Sequence, residues 1–152
     1  MIGLCCLVLA YALPASAWAG DATCVAGAEQ LRMQVSVAGL RNAKGEVAIT
    51  LYADDRERFL AKGGKLLRQR VKAVLPLTSA CFVLPAKGFY AVSVYHDANA
   101  DHDFNRSFIG MPVEGFGFSR NPKTRLGLPS LDEVRVAADL GDNPVQIQLI
   151  YP

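Results

Sequence analysis

The stretch Leu31-Arg32-Met33-Gln34-Val35-Ser36-Val37 alternates apolar and polar residues without a break. Successive side chains of an extended chain point to opposite faces, so Leu31, Met33, Val35 and Val37 share one face. Arg32, Gln34 and Ser36 occupy the other. A period of two, not 3.6, therefore sets the architecture. Working outward, the turn "GLRNAKG" (39–45) is followed by "EVAITLY" (46–52), with Val47, Ile49 and Leu51 in register. The segments "KLLRQRVKAV" (65–74), "CFVL" (81–84) and "FYAVSVYHD" (89–97) read as further strands. "DEVRVAADL" (132–140) and "NPVQIQLIYP" (143–152) close the series. "DDRERFLAKGG" (54–64) breaks the pattern, with room for one or two helical turns before Gly63-Gly64. About seven short strands separated by turn residues predict an all-β fold, an antiparallel β-sandwich.

The 152 residues suffice for one domain with its own core. A net charge of +2 gives no reason to expect the dense basic surface that nucleic-acid binding requires. Arg68, Arg70 and Lys72 alternate with Leu67, Gln69 and Val71, which reads as the solvated face of a strand.

The first twenty residues carry no charge. Ile2 to Leu13 is apolar but short for a bilayer span, and Pro14 with Ala15-Ser16-Ala17 and Ala17-Trp18-Ala19 follows. This predicts a signal peptide over residues 1–19, removed near Ala19, and a single mature domain over 20–152 with no membrane span. The expected location is the periplasm or the medium. Two cysteines then remain, Cys24 and Cys81. In an exported chain an even pair favours a disulfide, with two buried thiols as the alternative.

One segment resists the strand rhythm. From Asp97 to Leu128 runs a Gly- and Pro-rich connection far longer than compact domains usually tolerate, a length that points to function. It opens with oxygen-bearing side chains at every second position: Asp97, Asn99, Asp101, Asp103 and Asn105. Calcium takes six to eight oxygen ligands, and such alternation supplies them. These five fall at positions one, three, five, seven and nine of a calcium loop; the twelfth, where such loops carry a bidentate carboxylate, is Phe108, and Glu114 lies six residues further to close the shell. Calcium is thus the expected cofactor, with Asp97, Asn99, Asp101, Asp103, Asn105 and Glu114 as ligands. A loop held only by its own Asx hydrogen bonds is the alternative. Further along, Phe116 and Phe118 alternate with glycines, either as a stacking surface for sugar or peptide or as a buried anchor.

The run from Gly88 to Asn121 resembles a family of exported bacterial proteins, the domain of unknown function numbered 2141. The resemblance is carried by Gly88, Tyr90, His96-Asp97 and Asn99, then Gly110, Pro112, Glu114-Gly115 and Gly117-Phe118-Ser119. It implies an immunoglobulin- or transthyretin-like sandwich and no established activity. Family members usually carry glycine where this chain has His102, a position that favours positive φ.

The expected function is a non-catalytic binding or interaction module at the cell envelope, its partner a protein or glycan. Two other readings stay open. One is a metal-dependent hydrolase-like enzyme using His96, Asp97, His102 and Glu114. The other is a ligand-binding module centred on Phe116 and Phe118.

Overall fold

A computed structural model describes residues 24, 30–124 and 127–152. The expected leader lies outside the described residues. Among them no helix is long and apolar enough to cross a membrane.

Eight strands form two sheets: β1 (Leu31–Ala38), β2 (Glu46–Ala53), β3 (Leu67–Lys72), β4 (Leu77–Val83), β5 (Gly88–Asp97), β6 (Phe116–Phe118), β7 (Val136–Ala138) and β8 (Gly141–Gln148). One sheet has the order β4-β1-β8, the other β3-β2-β5-β6, with β7 pairing β5 beyond β6. The sandwich expected from the alternation is present. Every pair is antiparallel except β1–β8, which is parallel and sets Val35 beside Val145.

The stripe read from the sequence is the core. Met33, Val35 and Val37 of β1 pack with Val47, Ile49 and Leu51 of β2 and Val92 and Val94 of β5. Fully burying one such side chain contributes about 1.5–3 kcal/mol. Cys24 is joined to Cys81 of β4 by a disulfide with Cα atoms 5.7 Å apart.

The sheet edge at β8 is closed by a side chain. Asn121 donates through Nδ2 to the Gln146 carbonyl at 3.2 Å and accepts the Gln148 N–H at 2.8 Å. Pro144 removes a further backbone donor from the same strand.

Segment 54–64 forms consecutive turns and no helix; its i→i+4 bond from Phe59 N–H to Asp55 O is not continued. Part of "DEVRVAADL" is helical instead. α1 (Leu131–Val134) is opened by a capping box between Ser130 and Glu133, and Leu131 and Val134 are buried.

These two segments place the site. β2 is buried along both faces, not one. Tyr52, Ala91 and Phe118 on the outer face of the larger sheet are covered by Leu131, Val134, Phe59 and Leu60. The far end of the same face is covered by the long connection after β5.

Candidate functional site

Strand alternation at the end of β5 sends His96 inward and Asp97 outward. His96 is buried, with Nδ1 2.7 Å from the Tyr151 hydroxyl and Nε2 2.8 Å from the Lys44 carbonyl. Both ring nitrogens are thereby engaged, and the imidazole ties the β1–β2 turn to the C-terminal segment. His96 and Asp97, neighbours in sequence, do not converge on one site.

Asp97 is fully buried. Its Oδ2 accepts from Arg70 Nη1 and from the His102 N–H, both at 2.9 Å, and its Oδ1 accepts the Asp101 N–H at 3.1 Å. Arg70 reaches it from β3 across β2. The residue between is Ala48, paired in register with Arg70 on one side and Tyr95 on the other. A methyl group there leaves the outer face open for the guanidinium to cross. Arg70 Nη2 also donates to the Tyr95 hydroxyl at 2.7 Å and the His102 carbonyl at 2.8 Å. Burial opposes the Arg70 charge, but Tyr95 and Asp97 outweigh it and hold the pKa above the usual value. Arg70 is therefore no solvated strand residue, as its alternation suggested, but the cation seated under the loop.

Above that pair the oxygen ladder folds on itself. Asp101 Oδ2 accepts the Asn99 amide at 2.7 Å and the Asn105 amide at 2.9 Å, and its Oδ1 takes the Asp103 N–H at 2.9 Å. The Asp103 N–H, with the Asn99 amide, holds the Asp101 carboxyl below its ordinary pKa. Glu114 is buried, and its Oε2 accepts the Asn105 N–H at 3.1 Å. Burial pushes the Glu114 carboxyl up, and the charges of Asp97 and Asp101 add to the push. His102 takes φ +70°, a left-handed backbone conformation that few residues other than glycine adopt. Its imidazole is exposed, with Nε2 3.4 Å from Glu46 Oε2.

Five of the six expected ligands, Asp97, Asn99, Asp101, Asn105 and Glu114, thus meet in one hydrogen-bonded network. Asp103 enters it through its backbone. Among the described residues, no three or more His, Cys, Asp or Glu side chains are grouped so as to hold a metal ion.

The ladder also delivers aromatic side chains to the sheet. Phe104 stands 5.4 Å from the Tyr95 ring and 6.0 Å from Phe116, which is 6.2 Å from Phe118. Phe118 is buried and Phe116 half-buried. Between this row and the Tyr52–Leu60 corner lies a groove of about 240 Å³. Tyr52, Leu60, Tyr95, Phe104, Phe116 and Leu128 line it, with the arginines Arg68 and Arg106, and no acidic residue does. Arg68 donates through Nε to Thr50 Oγ1 at 2.7 Å, and the Arg106 guanidinium lies 5.3 Å from the Phe104 ring centroid. Of these lining residues, only Phe116 and Phe118 stood out in the sequence, through their alternation with glycines. Phe104 stands among the ladder's polar residues, and Arg68 belongs to the segment read as solvated.

A family model described as an uncharacterized protein conserved in bacteria (DUF2141) matches residues 35–148. No curated protein and no solved structure matches the chain.

Proposed function

The chain belongs to that family, DUF2141, and we propose that it is a non-catalytic binding module of the cell envelope. The ligand is a small molecule joining a planar apolar part to an anionic group. One observation carries this reading: the groove on the outer face of the larger sheet is walled by aromatic rings and bordered by two arginines, with no carboxylate among its lining. Such a lining stacks on a flat surface and attracts negative charge. The non-catalytic part rests on the histidines: His96 has both nitrogens engaged inside the sandwich, while His102 faces Glu46 in solvent.

The test is titration with 1-anilinonaphthalene-8-sulfonate, an anionic aromatic probe, followed by its fluorescence. Saturable binding to the native chain is expected. Arg68→Ala should weaken it about tenfold, the worth of one charge-assisted hydrogen bond of about 1.5 kcal/mol. Phe104→Ala should weaken it as well. Binding indifferent to both substitutions removes the groove reading.

A second reading has its own support. Around the ladder, the carboxylates of Glu46, Asp97, Asp101 and Glu114 face the Arg70 guanidinium as their one permanent cation among the described contacts. We propose that a calcium ion relieves this excess, with Asp97, Asn99, Asp101, Asp103 and Glu114 as ligands and Asn105 through water. The Glu114 carboxyl, raised first by burial and further by the charges of Asp97 and Asp101, supports it.

A further inference from the structure

Past the ladder, the chain makes a hairpin that no part of the described fold covers. Arg106 bridges Pro112, the Ser107 N–H donates to Met111 O at 2.7 Å, and the Gly110 N–H turns back to Ser107 O at 2.8 Å. Gly110 at φ +82° makes the turn. From Phe108 to Val113 the residues are Phe, Ile, Gly, Met, Pro and Val, with no polar side chain among them. Phe108 is fully exposed, Ile109 70%, Met111 55% and Val113 53%.

Large apolar side chains gathered at one exposed tip mark an interaction surface. From these features we infer that the tip enters the interfacial region of a lipid bilayer. Three observations choose lipid over a protein pocket. The tip has no side-chain donor or acceptor, whereas protein and ligand pockets fix their occupants with a few placed polar groups. The Ser107, Gly110 and Val113 N–H groups are satisfied inside the loop, and Pro112 has none, which lowers the cost of leaving water. Cations stand at the base: Arg106, bonded through Nη1 to Gly110 O at 3.2 Å, borders the same groove as Arg68 and Pro112. An apolar end with the Arg106 guanidinium at its base fits acyl chains beneath phosphate headgroups. The inference shares Arg68 and Arg106 with the groove, but its test at Phe108 and Ile109 touches neither.

The test places an indole at the tip. Phe108→Trp is made in the full chain with Trp18→Phe, which removes the chain's one tryptophan. Mixed phosphatidylcholine–phosphatidylglycerol vesicles are added, with and without bromine-labelled acyl chains. The expected result is a blue-shifted emission that brominated lipid quenches, lost when Ile109→Asp is added while thermal stability is kept. An unshifted emission in the presence of vesicles overturns the inference. So does a blue shift that survives Ile109→Asp, because another segment then holds the membrane. A blue shift without vesicles that grows with protein concentration also overturns it, since a second copy then covers the tip.

Discussion

Arg70 Nη1 stands 2.9 Å from Asp97 Oδ2, and this contact joins an edge strand to the root of the long connection. Asp97 is fully buried, while Arg70 keeps a margin of its side chain in water. Arg70→Ala leaves the carboxylate without its cation, and about 3–5 kcal/mol of stability should be lost. Urea denaturation read by circular dichroism measures it. A loss below 1 kcal/mol would mean that the backbone N–H groups of Asp101 and His102 suffice alone.

Glu114 should make the fold pH-dependent. Its pKa in the folded chain is raised, so the folded state binds the proton more tightly than the unfolded state. The stability tied to this proton is complete below the ordinary carboxylate range and is lost as pH rises through the raised value. Glu114→Gln removes that dependence and keeps an oxygen to accept the Asn105 N–H. In EDTA at neutral pH the variant should melt higher than the native chain. A lower melting temperature would show that the charge itself is needed there.

The proposed calcium ion would provide the opposite handle on the same group. At a hundred times its dissociation constant, an ion bound only by the folded state adds about 2.7 kcal/mol, a shift of several degrees. The shift should vanish in Asp101→Ala and persist in His102→Ala. Differential scanning fluorimetry with calcium, magnesium or zinc returned after EDTA decides it. No shift with any ion leaves Arg70 as the cation of the loop.

Cys81→Ser opens the bridge to Cys24, whose ends lie 57 residues apart. The chain-entropy estimate for a loop of that size is about 4 kcal/mol. Denaturation of the variant beside the native chain measures the loss. An unchanged midpoint would show that the segment before β1 contributes nothing to the fold.

Much of the scaffold could be read from the alternation of β1, β2 and β5, because large apolar side chains recur at every second, core-facing position even where the other face is covered too. Other parts could not. Val136–Ala138 and Phe116–Phe118 are three-residue strands, too short to display a period. The parallel β1–β8 pair joins distant segments, which no local pattern reports. The ladder was visible as a run of oxygens. Its partner Arg70 was not, since an arginine on an alternating strand looks alike whether water or a later loop covers it. The groove was hidden for the same reason: Tyr52, Tyr95 and Arg68 acquire their roles only when Phe104 and Leu60 come down on the sheet.

The parallel pairing of β1 with β8 also governs when folding can be completed. Val35 of the central strand lies beside Val145, so the smaller sheet lacks one of its three strands until residues near 148 are available. Pairings of such long sequence separation form slowly, because the intervening loop must close before any contact rewards it. A chain emerging from synthesis therefore stays unfinished until its last strand appears. It should be captured more readily by holding factors, and cut more readily by proteases, than a protein of equal stability built from neighbouring hairpins.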